Sequence, residues 1–434
     1  MKPDRKRERE RMKEEPRIPE WPLASDTVAA LVKDRKLGCD SRSLLLDRFA
    51  DPRRGDEKRR QFWKEFIETP ACFSEQRQRS WNDFLSLLCL PEGLLFAELR
   101  SRMMVNMAGG VMENAGLCLD RFGLPYIPGS AVKGCARRAA IQELREALAH
   151  EKSNLLETIA LVFGWVGEDW KDSSDFAYGC QRDWEEIRER TAESLWQKFR
   201  IRIDSPAEKD GERVPSNFAG TVRFLPAYPY KMPKHDLEKD ILTPHHQEYY
   251  RGVLCEAFDS EKPIPVLFPA VAPGTVFLFP IRSAPRGIGN LLEKGRGWLR
   301  EGLEKLGIGA KTAAGYGWFD CSERIQQDMQ SKLAKEREER ERAEKRAHLE
   351  PDPKELDALG KLKESDLRGQ INLFAVEEKY WLEKDRKDEG KQFTLLYYLT
   401  VVNRELYEKE KGNPKSKVWK ALHNLADKFG KTLP

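Results

Sequence analysis

A run of closely spaced glycines near residue 310 is the part of this sequence best suited to bind an anion. The run and the polar residues inside it are Gly307, Gly309, Lys311, Thr312, Gly315, Tyr316 and Gly317. Glycines let a backbone approach a phosphate and direct its N–H groups at the anion. The spacing matches neither a P-loop nor a dinucleotide-binding fingerprint. Two interpretations stay open: an anion-binding loop, with a lysine cation and a tyrosine stacking face, or a turn that serves close packing.

A helix start about 180 residues earlier is a second candidate anion site. Gly129-Ser130 leads into a run in which Lys133, Arg137 and Arg138 occupy the first turns. We expect Ser130 to be the N-cap, and apolar residues at 132, 136, 140, 144 and 148 to form the buried face. Cations close to a helix N-terminus favour anion binding. The alternative is an ordinary capped helix with an exposed basic face.

The segment DILTPHHQEYY (residues 240–250) is the third candidate. His245 and His246 could act as general acid and base in RNA cleavage, or could stack on bases beside the two tyrosines. Most histidine pairs in polar loops are structural. The sequence contains no DxD pair, no CxxC pair and no GxSxG, and only six histidines. We therefore expect no metal and no cofactor, and no two-metal, zinc or serine-nucleophile chemistry.

The elements that must position these residues change character along the chain. Residues 1–20 are predicted to be a disordered charged tail, and 21–93 a helical N-terminal region. Residues 94–322 mix strand and helix patterns and carry an irregular insertion near 168–215, in which a helix is expected at 183–199. Residues 323–350 are predicted to be a charged helix with ion pairs four residues apart, and 351–434 a small helical C-terminal region. Within the core, strands are expected at 95–107, 117–119, 219–228 and 275–282, and helices at 155–163 and 287–306.

Composition excludes several protein classes. The 76 basic and 72 acidic residues give a net charge of +4, which neither indicates nor excludes a nucleic-acid partner. No apolar run reaches the roughly 18 residues of a membrane span, and the amino end has no apolar signal region. Eight dispersed cysteines suit reduced thiols. We expect a cytoplasmic protein with no membrane contact.

Together, and in this order, the three segments resemble the RAMP superfamily of CRISPR-Cas proteins. IPGSAVKG is similar to the family's amino-terminal helix start, and GIGAKTAAGYGWF to its carboxy-terminal glycine-rich loop. AGTVRFLPAYPYK and DILTPHHQEYY resemble the sixth RAMP subunit of type III-B (Cmr) RNA-targeting effector complexes. The resemblance covers roughly residues 95–320. Ala131 stands where the family often has a serine, which weakens any role for a hydroxyl there.

The resemblance implies an α+β protein with a modified ferredoxin-like (RRM-like) core. It implies a non-catalytic, structural and RNA-binding subunit near the head of a filament, in contact with guide RNA and complementary target RNA. Its protein partners would be the backbone RAMP, the head RAMP and the small helical subunit. The family's functional positions carry over to Lys133, Arg137, Lys311 and Tyr316.

The predicted RNA-binding residues combine those positions with the candidates above: Ser130, Lys133, Arg137, Arg138, His246, Gly307, Gly309, Lys311, Thr312, Gly315, Tyr316 and Gly317. One alternative is a RAMP endoribonuclease that processes guide precursors, with His245 or His246 as the base and Lys311 as a charge stabiliser. Another is a purely structural adaptor whose RNA contacts are incidental.

Overall fold

The fold was analysed in a computed structural model of the chain. The structure describes residues 23–33, 36–37, 39, 41–50, 56–71, 74–106, 116–201, 203, 217–243, 246–257, 265–284, 290–372, 375 and 388–433. His245 and the expected tail at residues 1–20 lie outside these residues. The described chain forms two compact units, divided between Gln327 and Asp328.

A five-stranded antiparallel sheet forms the centre of the first unit. The strands in chain order are β1 (Val32–Lys33), β2 (Lys36–Leu37), β3 (Leu94–Leu99), β4 (Gly164–Trp165), β5 (Phe218–Ala219), β6 (Val222–Phe224), β7 (Tyr228–Lys231), β8 (Leu237–Leu242), β9 (Val266–Val271), β10 (Val276–Ser283) and β11 (Phe319–Asp320). The sheet order is β11-β3-β10-β6, and β7 also pairs with β10. Strand β10 lies in the middle because both of its faces are buried along Val276–Ile281. It pairs with β3 on one side and with β6 and β7 on the other.

Helices cover this sheet and build the regions before and after it. In the first unit they are α1 (Ser25–Leu31), α2 (Arg42–Leu44), α3 (Asp56–Glu68), α4 (Glu75–Leu88), α5 (Gly129–Glu146), α6 (Ala149–Phe163), α7 (Asp175–Cys180), α8 (Trp184–Phe199), α9 (Gln247–Tyr250) and α10 (Leu291–Glu301). Helices α5 and α10 pack against each other and against the sheet. Because α10 continues as a π-helical turn over Gly302–Leu306, it delivers the chain directly into the glycine run.

The β8–β9 hairpin is a separate two-stranded sheet with one face packed on the core and the other facing a cleft. Asp240 pairs with Phe268, and Ile241 with Leu267, so neighbouring pairs face opposite sides. Phe268 packs beside Met104 and the glycine run, whereas Ile241 and Leu267 face helix α3 across a cleft. The sequence patterns predict no strand at either position, so this hairpin is a feature that only the structure reveals.

The expected strand at 95–107 is wrong in its extent. Strand β3 ends at Leu99, and the chain then pairs elsewhere. Met103 bridges to Val271 of β9, and the carbonyl oxygen of Met104 accepts a hydrogen bond from the N–H of Ala310. The segment stays extended because the hairpin and the glycine run, rather than the sheet, satisfy its backbone.

The insertion after α6 contains the helix expected at 183–199, which is α8, and also the short helix α7, which the sequence does not indicate. Its core is an aromatic cluster in which the Trp165 ring packs against Trp170, Phe176 and Trp184. The guanidinium of Arg188 lies 4.9 Å from the Trp170 ring centre. This insertion therefore has an apolar core of its own, continuous with the main one.

The second unit is helical. Helix α11 (Glu323–Ala347) crosses the division between the units; the others are α12 (Pro353–Gly360), α13 (Glu364–Asn372), α14 (Glu389–Tyr397), α15 (Arg404–Lys411) and α16 (Lys417–Lys428). The core includes Ile371, Leu399, Leu422 and Leu425. Along the charged α11, Arg340 pairs with Glu344 and Arg342 with Glu338. Across the described ranges, every helix is too short or too polar to span a bilayer.

A buried ion pair ties the N-terminal helical region to the hairpin. The Arg42 side chain is fully buried, and its guanidinium donates to both carboxylate oxygens of Asp236, at 3.2 and 3.0 Å, just before β8 begins. A buried charge that loses its partner is strongly destabilising.

We expect Asp236→Asn to lower the free energy of unfolding by about 3–5 kcal/mol, because it leaves the Arg42 charge uncompensated. Glu301→Gln is the control: it removes one partner of the exposed Lys305–Glu301 pair and should cost less than about 1 kcal/mol. Urea denaturation of both variants measures the difference. Equal losses would contradict the anchoring role of Arg42 and Asp236.

Candidate nucleic-acid interface

Helix α5 begins at Gly129, and the expected Ser130 N-cap is wrong. Pro128 is the N-cap, with an extended backbone (φ −58°, ψ 143°), and no side chain caps the helix. The preceding residue, Ile127, exchanges backbone hydrogen bonds with Ala227. A Cβ on Gly129 would lie 2.6 Å from the carbonyl oxygen of Phe224. Glycine is therefore needed here for close packing, and Ser130 falls inside the first turn.

The apolar face of α5 is buried as expected over Val132, Ala136, Ala140 and Leu144. Leu148 does not continue this face: the helix ends at Glu146, and Leu148 is 61% exposed. The expected five-residue stripe is wrong at its last position because a turn intervenes before α6.

Lys133 lies half-buried and bonded within the chain. Its Nζ donates to the carbonyl oxygen of Phe163 at 2.7 Å, at the last residue of α6. Burial lowers the pKa of Lys133, and the nearby Arg137 lowers it further. Lys133 lines a cleft of about 550 Å³ together with Arg137, Arg223 and Trp165. A polyanion at this cleft would meet one cation already engaged by the backbone.

The two arginines that follow are also engaged. The guanidinium of Arg137 bonds to Asp169 at 2.7 Å and to Asp175 at 3.4 Å. Arg138 donates to the carbonyl oxygens of Leu306 and Gly307, at 3.2 and 2.7 Å. Arg138 thus joins the helix motif to the glycine run, while Arg137 holds the insertion.

Within the glycine run, Gly309 and Gly317 serve close packing. A Cβ on Gly309 would overlap the carbonyl oxygen of Met104, and one on Gly317 would overlap that of Ile308. Ile308 N–H donates to the Gly317 carbonyl at 2.9 Å, and Gly317 N–H to the Arg102 carbonyl at 2.8 Å. At Gly309 and Gly317 the geometry therefore supports a turn that serves close packing.

The tip of the run is different. Gly315 has a left-handed backbone (φ +90°), is exposed, and has open space where a Cβ would lie. Thr312 precedes it, and its carbonyl oxygen accepts hydrogen bonds from Gly315 N–H at 3.0 Å and from Trp318 Nε1 at 3.1 Å. Gly307, where the run begins, also has a positive φ of +70°. The tip is therefore a braced, solvent-facing turn.

Lys311 is held at this tip in an unusual conformation. Its φ of +57° is left-handed, which is rare for a residue with a side chain. Its Nζ lies 4.6 Å from the ring centre of Phe268 and 5.8 Å from that of Tyr316. No carboxylate in the described part of the chain forms an ion pair with it. The ammonium is thus oriented by aromatic rings and keeps its charge available to an anion.

Tyr316 belongs to a polar network beside Lys311. Its hydroxyl donates to Asp240, which also pairs with Arg102 at 3.0 Å. Burial and this hydrogen bond raise the pKa of Tyr316 to about 12. Burial favours the neutral Asp240 carboxyl, but hydrogen bonds from Tyr316, the Ile241 N–H and Arg102 outweigh it and lower the pKa of Asp240. Tyr316 is therefore a neutral donor, and its ring, not its hydroxyl, is left for a ligand.

The histidine segment follows the hairpin strand β8. His246 is partly buried at the start of the short helix α9, while Tyr249 and Tyr250 are exposed and in edge-to-face contact at 5.6 Å. The described residues contain no group of three or more histidine, cysteine or acidic side chains that could hold a metal. This segment presents aromatic faces to solvent.

The structure thus brings Arg138, Lys311, Tyr316 and the glycines together and leaves Lys133 and Arg137 at the separate cleft. Sequence reasoning missed Phe268, Asp240 and Arg102, which orient Lys311 and Tyr316. The sequence of β8, LEKDIL, does not alternate apolar and polar residues, so no strand signal points to Asp240. RNA contact by the twelve residues stays a prediction.

We expect Gly317→Ala to lower the free energy of unfolding by about 3 kcal/mol or more, because its Cβ would collide with backbone. Gly315→Ala is the matched variant: it has space and should cost only about 1–2 kcal/mol of left-handed backbone strain. Thermal and urea unfolding compare the two. Similar costs would contradict the division of the run into packing glycines and an open tip.

Comparison with known proteins identifies relatives of this chain. A family model described as the RAMP superfamily matches residues 107–320. The CRISPR system Cmr subunit Cmr6 from Pyrococcus furiosus is 29% identical over 232 residues, which is 50% of this chain and 64% of that protein. The match therefore spans less than two thirds of that relative's length.

Two solved structures are also similar. One is a structure of the type III-B Cmr-beta complex bound to cognate target RNA. The matched chain is 16% identical with a TM-score of 0.37, and the match covers 62% of this chain and 72% of that chain. The other is the crystal structure of Cmr6 from Pyrococcus furiosus. It is 25% identical with a TM-score of 0.28, and the match covers 53% of this chain and 97% of that chain. The resemblance to the RAMP superfamily that the glycine motifs predict is confirmed by the family match, which covers residues 107–320 of this chain.

Proposed function

We propose that this chain is a non-catalytic, RNA-binding structural subunit of a type III-B CRISPR effector complex. In this role it holds guide RNA and the guide–target duplex near the head of the filament, beside the backbone RAMP, the head RAMP and the small helical subunit. The similarity to Cmr6 supports the assignment.

The order of elements supports a modified ferredoxin-like core within this proposal. Strand β3 is followed by helix α5, then by β6 and β10, helix α10 and strand β11. Both helices pack together, and the antiparallel order β11-β3-β10-β6 places the first and third strands at the centre. This βαββαβ arrangement is that of the ferredoxin-like motif, with the β8–β9 hairpin inserted.

The observation that carries the RNA-binding role is Lys311. It is a cation without an ion-pair partner in the described ranges, held over Phe268 at an exposed glycine turn. The ring of Tyr316 lies beside the Lys311 ammonium, and Tyr249 and Tyr250 expose aromatic rings on helix α9. Backbone-directed cations with a few aromatic faces suit RNA binding without sequence reading.

We expect Lys311→Gln to weaken binding of labelled repeat-containing RNA by about 1 kcal/mol, roughly fivefold in Kd, because one phosphate contact loses its charge. The slope of log K against log salt should become shallower by about 0.7. Lys305→Gln is the control, since Lys305 is already paired with Glu301 at 2.6 Å. An unchanged slope in Lys311→Gln within the assembled complex would instead favour the structural-adaptor alternative.

We expect the purified protein to leave labelled repeat-containing RNA intact in EDTA, because the proposed role is non-catalytic. Gel analysis of the RNA after incubation checks this. Specific cleavage that is abolished by His246→Ala would overturn the proposal in favour of the guide-processing endoribonuclease, with its general base in the segment 240–250.

A further inference from the structure

The excess positive charge of this protein lies at its carboxyl end. Residues 411–434 contain six lysines and one aspartate, a net charge of +5. The whole chain has a net charge of +4, so residues 1–410 together carry −1. This terminal segment lies outside the part of the chain that matches the RAMP superfamily, 107–320.

Helix α16 sorts this segment into two faces. Val418, Ala421, Leu422 and Leu425 are buried in the core of the second unit. The opposite side presents polar residues, which we call the lysine face: Lys415, Lys417, Lys420, His423 and Asn424, all exposed. The partly buried Trp419 lies beside this face, with its ring in edge contact with His423 at 5.0 Å. Three of the six lysines therefore lie on one side of this helix and on the turn that leads into it.

The chain does not neutralise these lysines itself. Within the described residues, no ion pair involves Lys415, Lys417 or Lys420. The nearest acidic residue in the preceding helix, Glu410, is buried, pairs with Arg368 and accepts a hydrogen bond from Ser416 at 2.5 Å. Elsewhere in the same unit, exposed charges do pair, as in Lys361–Asp357.

The position of the lysines works against the helix that carries them. Lys417 is the first residue of α16, and Lys420 lies three positions later on the same side. Cations near a helix N-terminus oppose the helix dipole, and like charges at this spacing repel. The first turn contains no acidic residue to offset them. An arrangement that the isolated helix disfavours is stabilised when an anion covers it.

We propose that the lysine face is a second RNA-binding surface, which contacts the phosphate backbone without reading sequence. Stable protein interfaces bury an apolar centre, and the lysine face has none, so a phosphate chain fits it better than an acidic protein. The inference rests on the proposed function only in taking RNA as the polyanion.

The test is a fluorescence anisotropy titration of the full chain with a labelled uridine oligomer of about 20 nucleotides, over a series of salt concentrations. In the triple variant Lys415→Gln, Lys417→Gln and Lys420→Gln, we expect binding about tenfold weaker or more and a salt slope shallower by about 2. The control removes the same charge from exposed lysines of the same unit: Lys354→Gln, Lys361→Gln and Lys363→Gln. The control should bind nearly as the parent does.

Unchanged binding in the triple variant, or an equal loss in the control, would overturn the inference. Replacing the same three lysines by arginine should preserve binding, and circular dichroism of each variant shows whether α16 still folds. If polyglutamate at equal charge displaces the RNA as well as unlabelled RNA does, the partner is an acidic protein and the assignment to RNA is wrong. Lys311→Gln tests RNA binding at the glycine turn independently of the lysine face. The proposed function and the second RNA-binding surface can therefore fail separately.

Discussion

Two cationic side chains on helix α5 donate hydrogen bonds to the C-terminal carbonyls of two other helices. The arrangement of the core depends on these bonds. The ammonium of Lys133 bonds to the carbonyl of Phe163, where α6 ends, and Arg138 bonds to those of Leu306 and Gly307, where α10 and its π-turn end. Helix C-termini carry unsatisfied carbonyls and a partial negative charge, so cations stabilise them. One helix thereby fixes the positions of two neighbours over the sheet.

The glycine run continues this arrangement. Since Arg138 holds its first residue, the run can return past Met104 only by close backbone contact, which Gly309 and Gly317 allow. That path places Lys311 over Phe268 and Tyr316 against Asp240, both on one face of the β8–β9 hairpin. The exposed tip is thus a product of packing on either side of it, and its charge is oriented by residues from a different part of the chain.

Local patterns predicted the parts of this fold that local interactions determine. The apolar periodicity of α5 and the apolar density of β10 located both elements. The hairpin was missed because its strands are separated by a long connection, and because Pro269 within VLFPAV argues against a strand.

The sequence identifies the residues of the candidate site but not the contacts that those residues make. Lys311 and the glycines stand out in the sequence, but the partners of Arg137 and Arg138 lie 32 and 169 positions away. Ser130 was predicted as the N-cap because serine is a preferred N-cap residue, but the helix begins one residue earlier, at Gly129, which packs against the backbone of Phe224. Tertiary contacts of this kind leave no periodic signal.

The bond between Lys133 and Phe163 has a consequence for how such motifs are interpreted. A lysine that completes a neighbouring helix would be retained in any descendant that keeps this architecture, even one that had lost every nucleic-acid contact. A genome search with the helix-start motif therefore finds proteins that share this fold, and a match does not indicate what they bind. The tip of the glycine turn, which packing constrains far less, is where a change of ligand would first become visible.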